Sequence, residues 1–533
     1  MTALPSCSAR KANTRQIWSV LAILVTLAAV ALSVSCGGGS STPKLSGNTL
    51  VTVLFSSTSN DQFVEFDLYI QSLTLTNKSG KTVSLVSSQE PAEFIHVNGG
   101  IEPLVTVSIP QGIYTSATVT IASAGFTCIT LTPQGGIDTT SFAGQPPSGG
   151  VSVNLPTPVT VTGDSMGLFL NLQEAQSASY SSCYFGNQVV TYAITPTFSL
   201  AAASLSTPPT NSANGKAFGI NGQVSSIDSA NNSFVVAYPG TEEPRTLTVF
   251  SGANTVYQGI NSFSALTTGS FVNLDGGVQS DGSIMATRVA VEDLTATSVM
   301  TGPLLFVSDA EPALVVWPRQ EQGVLFANGL VGGAEYLSFG NANFQISGQL
   351  ANLNSLPFIP SFNAANMVAG QNVYLSTTET SFQGGPTYVP ASTATLMPQT
   401  IDGTVSGTSS SGNFTVYTAN LASYDLFPAL AIQAGQTTLL NSPSEVEVYV
   451  DNSTQMLNSQ PVATGSLLRF YGLVFNDNGT LRMDCAQIND GAPETQQSNS
   501  AMAVRPVQGQ VKETRNVSVG PMHETSRLIT PAQ

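Results

Sequence analysis

Residues 278–293 read VQSDGSIMATRVAVED. Asp281-Gly282 stands between two apolar-rich runs, and Asp-Gly in that setting is a strong short-range signal for a β-hairpin. Working outward, LTTGSFVNLDG (266–276) and INGQVSSIDSANNSFVV (220–236) precede it as further strand-and-turn segments. The series then returns. IDGTVSGTSSSGNFTVY (401–417), VATGSLLRFYG (462–472) and VFNDNGTLRMDCAQIND (474–490) repeat it in order, with Asn478-Gly479 at the place of the Asp281-Gly282 turn. A weaker middle copy starts near VMTGPLLFVSDAEPALVVW (299–317) and includes MVAGQNVYLST (367–377). Repetition of a β-unit points to small barrels in series, because closing each sheet on itself removes its exposed edges. The expected units are 218–297, a divergent 298–400, and 401–490, each of roughly six strands.

Upstream, Val64, Phe66, Leu68 and Ile70 alternate with Glu65, Asp67, Tyr69 and Gln71, the period-two pattern of a half-buried strand. TVSL (82–85), EFIHV (93–97), LVTVSI (104–109), TSATVTIA (115–122), VSVNL (151–155), LFLNL (168–172) and VVTYAI (189–194) extend it, with Pro110-Gln111-Gly112 as a turn between two of them. No amphipathic helical pattern intervenes, so 48–205 reads as an antiparallel β-sandwich. A linker rich in Pro and Ser, 206–217, follows. Residues 491–533 are polar and without pattern, and are expected to be a disordered tail. The fold expected is all-β: a sandwich, then three small β-barrel repeats.

The motif G-x-V, then L-x-x-G-x-x-V, then D-G-S-x-x-A-x-x-V resembles an uncharacterised small β-barrel domain of secreted and lipid-anchored bacterial proteins. Gly222, Val224, Leu266, Gly269, Val272, Asp281, Gly282, Ser283, Ala286 and Val289 carry the match in the first copy. The third copy fits less fully, and the second lacks the Asp-Gly turn. DQFVEFDLYIQSLTLTN (61–77) and IPQGIYTSATVTIA (109–122) more loosely resemble another uncharacterised β-domain, found at the N-termini of such lipoproteins. These resemblances imply an envelope location and β architecture, and no activity.

At the N-terminus, Arg10, Lys11 and Arg15 precede the apolar run IWSVLAILVTLAAVALSV (17–34). A basic stretch, an apolar run and small residues make a secretory signal, although the run is also just long enough to span a bilayer. Ser33-Val34-Ser35-Cys36 resembles the end of a bacterial lipoprotein signal, with Ser33 where leucine is usual. That resemblance implies that 1–35 is removed, that Cys36 is lipidated, and that 36–47, beginning with three glycines, is a flexible tether. It places the protein outside the cytoplasm, lipid-anchored in a bacterial cell envelope. The outer membrane is favoured, since Gly37 rather than an acidic residue follows the cysteine.

Only 9% of residues are charged, against about 25% in ordinary soluble proteins. Ser, Thr, Asn, Gln and Gly supply the polar surface, which suits an extracytoplasmic β-protein. The net charge is −16, and loss of the leader's basic residues deepens it. Such a field opposes nucleic acid, including binding by barrels of the oligonucleotide-binding type, and makes anionic lipid headgroups poor partners as well. Partners are therefore sought in the membrane, through the lipid, and among envelope or extracellular proteins and glycans. Of five cysteines, Cys128 and Cys183 share the first folded region and are candidates for a disulfide, with two separate thiols as the alternative; Cys485 is expected to face a core.

Gly163-Asp164-Ser165-Met166-Gly167 fits the G-x-S-x-G nucleophile elbow, but that motif needs a helix after the serine and LFLNL reads as a strand. A base is also required, and the chain has two histidines, His96 and His523. No Cys/His cluster has metal-ligand spacing. Glu65 and Asp67 share a strand face near Asp61, and Asp228–Asn232 is a polar loop, so oxygen-ligand calcium sites are weak candidates against plain solvated residues. Glu242-Glu243 reads as a hairpin tip. Trp317, Tyr238, Tyr257, Tyr374, Tyr388 and Tyr471 are read as packing residues rather than a sugar platform. The sequence thus predicts no catalytic residue, no cofactor and a non-enzymatic scaffold, adhesin-like or binding module. An envelope hydrolase using carboxylates or Ser165 is the alternative.

Overall fold

The computed structural model describes residues 45–491, apart from 59–62, 99, 132–136, 145–149, 181–191, 204–214, 239–244, 308–312, 317–319, 324, 326–334, 348–352, 380–388, 423–424, 431–439 and 459. The leader, Cys36 with most of the tether, most of the linker, Asp61, Cys183, Glu242-Glu243, Trp317, Tyr388, His523 and the tail beyond Gly491 lie outside the described residues.

Alternation builds the sandwich. In Phe63–Asn77, Val64, Phe66, Leu68 and Ile70 are buried while Asp67, Tyr69 and Gln71 are exposed. This strand pairs with Gly112–Leu131, and Thr82–Val86 and Ile137–Gly144 flank the pair. The opposing sheet runs Phe198–Ala202, Ser165–Gln173, Asn48–Thr58, Glu102–Pro110. Val51, Val53 and Phe55 from one sheet and Phe66, Leu68 and Phe126 from the other share one core. One pairing departs from a purely antiparallel plan: Asn48–Thr58 and Ser165–Gln173 run parallel, with Leu50 opposite Ser165. A second departure concerns EFIHV. The strand there is Glu90–Glu93, and Phe94–Asn98 turns away from it. The cause is Glu93, whose carboxylate accepts from the amides of Ile95 (2.8 Å) and His96 (2.9 Å) and so caps a turn.

The first repeat is a closed barrel of Lys216–Asp228, Ser233–Ala237, Thr246–Gln258, Phe271–Val278 and Ile284–Glu292, five ring strands rather than the expected six. Around the ring the order is first, second, third, fifth, fourth, and the third-to-fifth pair is parallel. The third repeat closes in the same order. Gln399–Ser411, Phe414–Leu421, Glu445–Val450, Leu467–Asp477 and Thr480–Asp490 are its ring strands, and Glu445–Val450 again meets the last strand in parallel.

The middle repeat keeps the plan with two strands broken. Ser298–Val307 pairs with Ala313–Val316 and Asn372–Thr377. The third strand is split into Glu335–Ser338 and Asn343–Ile346, which pair in parallel with Val389–Pro390 and Thr393–Leu396. Asn372–Thr377 pairs with Thr393–Leu396 and completes the circuit.

One hydrogen-bond pair recurs in all three repeats. Val224, Leu304 and Val405 on the first strands accept from the amides of Gly269 (2.7 Å), Gly370 (2.8 Å) and Gly465 (2.8 Å). The same three residues donate to the carbonyls of Ser270, Gln371 and Ser466. Each glycine has a positive φ, 88°, 97° and 90°, a conformation that other residues adopt only with strain. A bulge follows each first-strand position, after Val224, Leu304 and Val405, and lets a short strand bend round a tight barrel.

The units follow one another in sequence but are not beads on a string. Leu54 and Ile101 of the sandwich belong to the core of the first barrel. Phe271 of the first barrel packs with Val299 and Tyr374 of the second repeat. Phe414, Tyr449 and Phe475 of the third repeat join the core of the second. The described residues from Gly47 onward form one compact unit.

A buried ion triad and cavity where the β-units meet

The turn after Glu93 positions His96. Its Nδ1 lies 2.6 Å from Glu93 Oε2 and its Nε2 lies 2.8 Å from Glu102 Oε1, the latter an ionic contact rather than an aligned hydrogen bond. The imidazole side chain is 2% exposed. Burial alone would depress its pKa, but the close charge of Glu102 and the hydrogen bond and charge of Glu93 outweigh that and raise it to about 10. Burial would raise Glu93, yet its bonds to His96 and to the amide of Phe66 hold it below the usual carboxylate value. At neutral pH His96 is therefore an imidazolium, set between Glu93 and Glu102. An imidazolium held in this way has no free lone pair and does not serve as a base.

Around this triad the units converge. A cavity of about 70 Å³ is lined by His96 and Glu102 of the sandwich, Phe218 of the first barrel, Asn372 of the second repeat and Thr400 and Tyr471 of the third. That is room for a few waters or a small polar group. Phe218 and Tyr471 stack with ring centroids 5.0 Å apart, closing one side. Burial pushes Tyr471 well above its ordinary pKa, so its hydroxyl stays neutral.

Basic side chains bridge the units. Arg469 of the third repeat donates to Asn98 Oδ1 of the sandwich. Arg245 of the first barrel donates to the Pro91 carbonyl and lies 5.6 Å from the centroid of the Phe55 ring. Lys216 at the start of the first barrel donates to the carbonyl of Ser453 at 3.2 Å. Gln371 of the second repeat reaches the Val474 carbonyl of the third at 2.9 Å. Within the first barrel, Arg288 is buried against Asp275 and Asn273.

The structure separates the sequence candidates. Ser165 is the exposed first residue of a strand, with no helix after it, so the strand–turn–helix geometry of a nucleophile elbow is not formed there. The motif's last glycine has a packing task instead. Gly167 donates to the Ser280 carbonyl at 2.8 Å, and a methyl group on it would lie 2.9 Å from Gly282 Cα. The Asp281-Gly282 hairpin of the first barrel thereby docks on the sandwich. Glu65 accepts from Thr127 at 2.6 Å, while Asp67 is exposed on the same strand. Among the described residues no group of three or more His, Cys, Asp or Glu is arranged to hold a metal. Asp228 accepts bonds from Ala230 and Asn231 within its own loop. Cys128 is buried and disulfide-bonded, and Cys183, its expected partner, lies outside the described residues. Cys485 is a buried free thiol, with burial pushing its pKa to about 12.

The triad is not legible in the sequence as a site, because alternation places His96 within a strand. The capping carboxylate two and three residues ahead of Ile95 and His96 was the available signal. Barrels that bind oligonucleotides or oligosaccharides use their second and third strands. In the first barrel that outer face carries Val235, Ala237, Thr246, Thr248 and the half-buried Phe250, without a basic side chain. In the third, Phe414 and Tyr449 are packed onto the second repeat.

No curated protein and no solved structure matches the chain significantly. Residues 221–290, which span nearly the whole first barrel, match the family described as domain of unknown function DUF5666.

Proposed function

We propose that this chain is a lipid-anchored scaffold or binding module of a bacterial cell envelope, working by presenting a rigid surface rather than by turnover. The observation that carries this reading is the sharing of hydrophobic cores between successive β-units, joined by Arg245, Arg469 and Gly167–Gly282. A body built in this way holds distant surfaces in fixed relation, which suits contact with an envelope protein or glycan. Among the described residues, His96 is engaged in the triad, and Lys216, Arg245 and Arg469 bridge the units. Cys36, behind its apolar run and ahead of its glycines, supplies the tether in this reading. Incorporation of labelled fatty acid in a bacterial host tests it: label is expected on the wild type and absent from Cys36→Ala. Equal absence of label overturns the anchor.

A further inference from the structure

The tether enters the fold at Gly47, and the residues around that point differ in charge from the rest of the molecule. The carbonyl of Gly47 accepts from the amide of Gln111, and Gln111 Nε2 and Thr49 Oγ1 both reach the carbonyl of Gly163. Asn77 stands opposite Tyr114, so the hairpin tip Lys78-Ser79-Gly80-Lys81 belongs to this same end of the sandwich. Four turns, at 47–49, 78–81, 110–112 and 163–165, therefore cluster where the chain leaves toward Cys36.

Among the described residues, Lys216, Arg245, Arg288 and Arg469 are buried or bonded across units, and Arg482 is paired with Glu447 and Asp477. Lys78 and Lys81 are exposed and make no ion pair among the described residues. Among the described residues of this acidic chain, both cations without an ion pair or a bond across units thus lie on one hairpin at the tether end. The single carboxylate in the four turns is Asp164. Asp281, on the docked hairpin nearby, is engaged by the amide and hydroxyl of Ser283. Two of the large apolar side chains left exposed, Leu50 (48%) and Ile113 (49%), flank this end within about 7 Å of the turns at strand rise. The segment from Cys36 to Gly47 can extend at most about 40 Å, and its sequence includes Lys44.

We infer that this end of the sandwich is a membrane-contacting face that settles on an anionic lipid surface, with Lys78 and Lys81 on headgroups and Ile113 and Leu50 at the acyl boundary. The inference rests on the lipid-anchor reading. Short tethering raises the local lipid concentration enough for two lysines and two aliphatic side chains to matter. The net charge of −16 keeps the remaining surface away from the same lipids.

Hydrogen–deuterium exchange of the lipidated full chain tests it, in vesicles of phosphatidylcholine with and without phosphatidylglycerol. Exchange over 77–82 and 110–114 is expected to slow at least threefold with phosphatidylglycerol, and the hairpin tip at Ser411-Gly412, which bears no cation, is expected to be unaffected. A Lys78→Glu, Lys81→Glu double variant, altered only at an exposed tip, is expected to lose the slowing. No response to phosphatidylglycerol, an equal response at the control hairpin, or full retention in the double variant overturns the inference. Failure of the anchor reading is distinguishable: a chain unlabelled by fatty acid overturns that reading alone. A chain beginning at Cys36 and coupled there to a maleimide lipid then puts the face to the same exchange test.

Discussion

At position 93 one carboxylate ends a strand, caps the turn after it and holds an imidazolium, and the pH behaviour of the fold follows from these residues. The raised pKa of His96 means that its stabilisation is complete below 6.5, its ordinary value, and fades as pH climbs to about 10. Glu93 acts at the other end: its contribution is present above 4.5 and is lost as pH falls through its depressed value. Asp484 is raised to about 7 by burial and by Asp451, against the pull of Lys216. Its folded form binds a proton more tightly than its unfolded form, so its contribution is greatest in acid and fades between 3.8 and about 7. Urea midpoints should therefore peak at about pH 4 and decline steadily toward pH 10. His96→Gln should cost about 3–5 kcal/mol near the peak, because two buried carboxylates lose their counter-charge. It should also flatten the slope above pH 6.5; a variant with the wild-type alkaline slope would show that His96 is not its source. None of this is legible in EFIHV, since alternation alone gives a strand and the capping by Glu93 depends on where the chain goes next.

The repeating element shows more clearly what local sequence can encode. Asp281-Gly282 and Asn478-Gly479 predicted hairpins, and both form, with Gly282 and Gly479 at φ of 85° and 91°. The glycines of LTTGS, MVAGQ and VATGS serve one shared purpose, the left-handed residue that returns each chain to its first strand. Even the divergent middle copy was readable from MVAGQNVYLST, although its ring strands are broken. The parallel closure of third on fifth strand was not readable, because pairing between strands far apart leaves no periodic trace in either. These glycines are equivalent in backbone but not in surroundings, which gives a graded prediction. A methyl group at Gly465 meets nothing within 4 Å, so Gly465→Ala should cost only the backbone strain, about 1 kcal/mol. At Gly370 the methyl group would lie 2.8 Å from Phe427 of the third repeat, so Gly370→Ala should add about 1–3 kcal/mol of overpacking. Chemical denaturation of the two variants measures the difference, and equal costs would mean that the second and third repeats are not packed through Phe427.

For the whole molecule, the question is whether four β-units behave as four domains or as one. The sequence predicts barrels in series because linkers and repeats are visible along a chain, whereas the contacts that join units come from residues hundreds of positions apart, such as Asn98 with Arg469. Gly167 and Gly282 each looked like part of a local motif, one catalytic and one a turn, and their meeting could not be inferred from either. The cores are divided among units in a way that forbids independence. Phe414, Val416, Tyr449, Leu473 and Phe475 of the third repeat are buried in a cluster with Leu304, Phe339 and Val373 of the second. Cut away from its neighbour, a fragment 399–491 would expose those side chains as one apolar patch, of the kind that monomeric proteins seldom leave open. Its own core, with Val446, Val448, Phe470 and Met483, would remain. The fragment should then form β-structure yet bind an apolar dye such as ANS and associate at micromolar concentration, while the full chain does neither. The chain from Gly47 on should unfold in one cooperative transition, followed by tryptophan-independent probes such as far-ultraviolet circular dichroism and thiol exposure of Cys485. Coincident curves from the two probes are the expected result. Separated transitions, or a monomeric fragment that leaves the dye dark, would mean that the shared clusters contribute little and that the units are joined only by their linkers.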